Sequence, residues 1–137
     1  MPVPEFHPDR LLEVLVRHRV RFVVVGGAAA NALGSPELTR DLDLCYDRST
    51  GNLELLVEAL RELRAELRGA EPGLPFTLDA RTLELGDSFT FITDYGPLDV
   101  LGTPSGTRGF DELIRNARDE ELFGHRVAIC SLDDLIG

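Results

Sequence analysis

The sequence predicts an α/β fold, on three observations. Residues 22–25, Phe-Val-Val-Val, form a continuous apolar and largely β-branched run, as a strand covered on both faces requires. Residues 52–68 place Leu53, Leu56, Val57, Leu60, Leu63 and Leu67 on one stripe of an amphipathic helix. Strand-like and helix-like stretches then alternate along the chain.

Taken in order, residues 9–20 read as a helix. Pro8 and Asp9 supply the start, and Leu11, Leu12, Leu15 and Val16 recur at helical spacing. The 22–25 strand ends at Gly26 and Gly27, a turn that opens a short Ala-rich helix over 28–33, stopped by Gly34 and Pro36. Residues 35–40 are a loop and 41–46 a second strand. The 52–68 helix closes at Gly69, with Arg61, Arg64 and Arg68 on its solvated face. A loop covers 70–75, and 76–85 read as short strand or irregular chain. Residues 88–93 alternate as a strand, 94–97 make a hairpin turn, and 98–101 form the next strand. A Gly-, Thr-, Ser- and Pro-containing loop spans 102–109, a helix 110–118 and a strand 126–130. Ser131 and Asp134 fit a capping box for a last helix.

At 137 residues, 43% apolar and 28% charged, the chain has the size and composition of one globular domain, 1–137, with a real core. No apolar run approaches a membrane span and residues 1–7 lack a signal-peptide core, so the expectation is a cytoplasmic protein without membrane contact. Cys45 and Cys130 show no metal-ligand spacing and are expected as free thiols. Cys45 lies in phase with Asp41 and Asp43 but has no cation beside it in sequence to activate it. His7, His18 and His125 share no spacing and are expected at the surface or in loops. All 14 basic residues are Arg, against 24 acidic residues, for a net charge of −10. The absence of Lys excludes Schiff-base chemistry and a phosphate-loop lysine, and leaves Arg as the permanent cation for phosphate. The acidic balance disfavours a broad nucleic-acid footprint on this domain.

Three features carry chemistry. A Gly-Gly turn follows a buried strand and opens a helix, which leaves backbone N–H groups for an anion. Asp41 and Asp43 share one face of the next strand, with Leu42 and Leu44 on the other. Asp99 sits on a later strand between Leu98 and Val100. If those strands pair, three carboxylates meet beside the Gly-Gly turn, a site for one or two Mg²⁺ ions, or Mn²⁺, holding a nucleoside triphosphate.

In that order, Gly26-Gly27, Asp41-Leu42-Asp43, and Asp99 within Pro97-Leu98-Asp99-Val100 resemble the polymerase-β-type nucleotidyltransferase superfamily. The likeness is greatest to the small bacterial nucleotidyltransferase-like group that includes toxins of abortive-infection toxin–antitoxin pairs. Thr39-Arg40-Asp41-Leu42-Asp43 and Ser131-Leu132-Asp133-Asp134-Leu135-Ile136 are also similar to that group, and the resemblance runs from about residue 14 to the end. It implies a mixed β-sheet flanked by helices. It implies transfer of a nucleoside monophosphate from an NTP to a hydroxyl on an RNA 3′ end, a protein, or a small molecule such as an aminoglycoside. Asp41 and Asp43 would ligate metal, and Asp99 would complete the set and serve as general base. Gly26 and Gly27 would contact the triphosphate, and Arg40 would balance phosphate charge. A cognate antitoxin is an implied partner.

This sequence departs from the pattern in two places. Many members carry Ser where Gly27 stands, and larger members continue into a helical region for the acceptor where this sequence ends at Gly137. The same fold without turnover would be a nucleotide- or partner-binding module, regulatory or antitoxin-like. An acidic α/β domain with its acids as surface decoration is the third reading.

Overall fold

The computed structural model describes residues 5–68, 78–104 and 106–136. The loop expected over 70–75, the stop at Gly69 and residues 76–77 lie outside the described residues. Helix α1 (Pro8–Arg17) buries Leu11, Leu12, Val14 and Leu15 and leads into β1 (Phe22–Val25), all four residues of which are buried. Helix α2 (Gly26–Ala32) begins at the first glycine itself, so the expected Gly-Gly turn is the first turn of the helix. Its Ala28 and Ala29 are fully buried, and side chains this small let the helix lie close on β1 and β2.

Strand β2 (Leu42–Tyr46) pairs antiparallel with β1. Helix α3 (Thr50–Glu62) follows. Its Asn52 is buried but satisfied: the side chain accepts from the Arg21 N–H at 2.7 Å and donates to the carbonyls of Arg21 and Asp47, pinning the starts of β1 and α3 together.

Helix α3 stops well before the expected end at residue 68. Arg64 takes φ +55°, and Ala65 N–H returns to the Leu60 carbonyl at 3.0 Å, a reversal of the Schellman kind. Leu67 therefore leaves the helical stripe and enters β3 (Glu66–Leu67), opposite Phe91. Helix α4 (Ala80–Leu85) replaces the expected strand or irregular chain, because Asp79 caps it by accepting from Thr82 N–H at 2.8 Å. Tyr46 Oη donates to the Leu83 carbonyl and ties α4 to β2.

Strands β4 (Ser88–Thr93) and β5 (Gly96–Leu101) form the expected hairpin, with Gly96 at φ +102°. Helix α5 (Phe110–Asn116) ends two residues before the expected limit. The chain enters β6 (Arg118–Leu122), a strand with no sequence expectation behind it. Its Arg-Asp-Glu-Glu stretch hides a strand behind charge, which an edge position tolerates. A two-residue turn with Phe123 and Gly124 both at positive φ joins it to β7 (His125–Ile129). Ser131 Oγ accepts from Asp134 N–H at the start of α6 (Leu132–Ile136), as the capping reading required.

The sheet order is β3-β4-β5-β2-β1-β7-β6. Pairs β2–β5 and β1–β7 are parallel and the others antiparallel, so the sheet is mixed, as expected. Leu42, Leu44, Leu98, Val100 and Phe91 are fully buried on one face, with Leu53, Leu56 and Leu60 of α3 completing that core. The opposite face of the same central strands carries the acids.

Candidate active site

Strand register brings the acids together. Asp43 of β2 pairs with Asp99 of β5 in a parallel ladder, flanked by Leu42 against Leu98 and Leu44 against Val100. The leucines and valine go to the core, so alternation sends both aspartates to the other face. Neighbouring strands lie roughly 4.8 Å apart, and paired residues on one face share that spacing. Asp41 stands one residue before β2, in a bend rather than on the strand as expected, and still reaches the same point. One carboxylate oxygen from each of Asp41, Asp43 and Asp99 lies within 4.8 Å of the others, and each residue is only partly buried.

Such a cluster is electrostatically unfavourable alone. Asp43 Oδ1 and Asp99 Oδ1 are buried with no hydrogen-bond partner among the described residues. The Asp43 carboxyl is pushed up to about 7, first by burial, then by a hydrogen bond shared with Asp99, then by the charges of Asp41 and Asp99. Asp41 is also raised, by burial first and by Asp99 second, while Arg68 pulls it back. Three clustered carboxylates with oxygens left unpaired suit a divalent metal ion, which takes hard oxygen ligands.

Gly26 is built into this arrangement. It sits at φ +66°, and a Cβ there would collide with the Asp43 carboxylate. A Cβ on Gly27 would come within 3.0 Å of Thr39 Oγ1, which donates to the Asp41 carbonyl at 2.9 Å. Both glycines thus stand beside the acids on a first helical turn that has no side-chain cap. Arg40 is exposed on the loop before Asp41, not on a strand, and makes no ion pair among the described residues.

Sequence reasoning missed Arg68, expecting it on a solvated helix face. Its N–H donates to the Thr90 carbonyl at 2.8 Å, and Thr90 is the partner of Asp99, so the backbone carries Arg68 to the edge of the acidic face. The signal was hidden because the leucine periodicity of α3 runs past its real end. Cys45 is buried beneath Gly102, donating to its carbonyl at 3.5 Å. Burial, with Asp87 adding to it, pushes the thiol up to about 12, which leaves it unreactive.

Two solved structures share this architecture. One is a candidate nucleotidyltransferase from Thermotoga maritima, at 16% identity and a TM-score of 0.59, covering 97% of this chain and 84% of that one. The other is the lincosamide antibiotic adenylyltransferase LnuA with lincomycin bound, at 12% identity and a TM-score of 0.63, covering 97% and 85%. The fold is the nucleotidyltransferase fold. At these identities the likeness is one of fold. No protein-family model matches the chain, and no curated protein matches it by sequence. Among the described residues no helix is long and apolar enough to cross a membrane.

Proposed function

We infer that the protein is a metal-dependent nucleotidyltransferase, moving a nucleoside monophosphate from an NTP to an acceptor hydroxyl. One observation carries this reading. Two buried carboxylate oxygens, of Asp43 and Asp99, have no hydrogen-bond partner among the described residues and belong to a triad of acids clustered within 4.8 Å, on a fold shared with an adenylyltransferase. Asp41, Asp43 and Asp99 would hold one or two Mg²⁺, or Mn²⁺. Bound there, the metal supplies positive charge to the triphosphate and to the departing pyrophosphate.

The chain's own residues divide the remaining work. Asp99 lies on the β4 side of Asp43 and takes the proton of the attacking hydroxyl. The hydroxyl oxygen bonds to the α-phosphorus, the bond from that phosphorus to the bridging oxygen breaks, and pyrophosphate leaves. Gly26 and Gly27 let the triphosphate approach the backbone at the start of α2. Arg68, whose charge acts on Asp41, and exposed Arg40, next to Asp41 in the chain, would meet phosphate charge.

A small hydroxylated molecule suits the acceptor role better than RNA, given a net charge of −10. An RNA 3′ end, as a toxin of an abortive-infection pair would require, needs positive surface from another chain. The test is transfer of label from [α-³²P]NTP with Mg²⁺, beside calorimetric titration of Mn²⁺. Transfer by the wild type, lost together with Mn²⁺ binding in Asp43→Asn, is expected. Nucleotide binding without transfer to any acceptor would instead leave a binding module of the same fold, and transfer retained in Asp43→Asn would remove the triad from the chemistry.

A further inference from the structure

A cavity of about 210 Å³ opens beside the triad, on the side away from Arg68. Gly26 and Asp43 form the end it shares with the acids. Leu101, Leu113 and Leu135, from β5, α5 and α6, make its apolar walls, with Pro104 closing the loop side. Its polar groups are few and unequal. Thr107 Oγ1 is occupied within its own loop, donating to the Pro104 carbonyl at 2.8 Å and accepting from Gly109 N–H at 3.2 Å. Asp134 has one carboxylate oxygen, Oδ2, accepting from Asn116 Nδ2 at 3.2 Å, and the other takes no hydrogen bond among the described residues.

We propose that this cavity is the nucleoside subsite, taking the nucleobase of the NTP between its leucine walls, with Asp134 accepting from an exocyclic amine on the base. The inference rests on the nucleotidyltransferase reading and adds the position of the nucleoside to it. Size decides against a whole acceptor: pockets enclosing drug-sized molecules run to roughly 300–1,000 Å³, so this one holds a ring system and little more. Apolar walls with one convergent polar group are what a flat heterocycle with a donor edge needs. Carboxylates accept from exocyclic base amines. Continuity decides the occupant: the residues shared with the cavity, Gly26 and Asp43, are those beside which the phosphates would lie, so a base seated here is joined to its own triphosphate. The acceptor is left the open side towards β4, beyond Asp99 of β5.

The experiment compares ATP, purine riboside triphosphate (the same ring system without the amine) and inorganic tripolyphosphate, by calorimetry in saturating Mn²⁺. Wild type is expected to bind ATP at least about tenfold tighter than tripolyphosphate, the base adding burial that the bare phosphates lack. Leu135→Trp, which fills the cavity, should erase that difference while leaving Mn²⁺ and tripolyphosphate binding unchanged. Unchanged Mn²⁺ binding also reports an intact fold. Asp134→Asn, a milder change, should erase the preference for ATP over the amine-free analogue. ATP affinity unaltered in a folded Leu135→Trp protein would overturn the proposal, as would equal wild-type affinity for ATP and tripolyphosphate. Failure of wild type to bind either compound would instead bring down the nucleotidyltransferase reading, and the subsite with it.

Discussion

Two carboxylates in this molecule have opposite fates. Glu62, at the end of α3, is gripped by Arg17 through a charge-assisted pair and by His18 Nε2 at 2.8 Å. Those hydrogen bonds, Arg17 first, hold its carboxyl down at about 2. Among the described residues Asp43 has no cation against it; it lies with two further acids and is pushed up to about 7. The first acid has its counter-charge within the fold. The second has been given burial and like charge instead, an arrangement that makes sense when the counter-charge arrives from outside. Glu62 serves structure, and its partners are an exposed Arg and a His that sequence spacing treated as idle. Asp43 leaves its charge unmatched, as the proposed cation site requires.

Removing the second acid is the strongest way to test that contrast. Asp43→Asn should lower transfer by about 10²–10³-fold, on the order of what losing one electrostatic group at a transition state costs. The same change should raise the melting temperature of the metal-free protein near pH 8, because it relieves like-charge repulsion. A loss of activity with a fall in stability would mean that Asp43 is structural, as Glu62 is. Next in size is Gly26→Ala. A non-glycine residue at φ +66° costs roughly 1–2 kcal/mol, and the new Cβ collides with the Asp43 carboxylate. The melting temperature should fall by roughly 5–10 °C. Metal affinity should fall with it, since relieving the collision means moving the Asp43 carboxylate within the triad. Calorimetric Mn²⁺ affinity measured well below the melt separates the two effects.

Much of the acidic face was legible because it rests on short-range rules. The alternation that buries Leu42 and Leu44 sends Asp43 the other way, and apolar Leu98 and Val100 do the same for Asp99. What neither segment contains is their pairing. The parallel register of Asp43 with Asp99 joins residues separated by a helix, a strand, a second helix and a hairpin, and it follows from the sheet order. Arg68 was illegible for a related reason. Leu63 and Leu67 continue the period of α3, while the backbone reversal at Arg64 uses a residue with no turn signature, so the pattern outlasts the helix. Helix α4 and strand β6 were missed locally. One is six residues held by a single Asp79 cap, and the other is an edge strand written in charges.

The pH response brings both acids into one measurement, with smaller effects. Asp43 has a folded value of about 7, above its ordinary 3.8, so the folded state holds the extra proton. Its contribution to stability is therefore complete below about pH 3.8 and is lost as pH rises through about 7. Glu62 runs the other way: its folded value, about 2, lies below the ordinary 4.5, so its contribution is present above about pH 4.5 and is lost as pH falls towards 2. Melting curves of the metal-free protein should lose several degrees between pH 5 and pH 8, and Mg²⁺ or Mn²⁺ should restore them at pH 8, where Asp43 is ionised. Asp43→Asn should flatten that limb and remove the metal response. Glu62→Gln should leave both untouched and lower the melting temperature by no more than a few degrees at neutral pH, as expected of an exposed pair, with the difference shrinking below about pH 4.5 and vanishing only as pH falls to about 2. A metal response that survives Asp43→Asn, or that Glu62→Gln abolishes, would place the cation somewhere other than between β2 and β5.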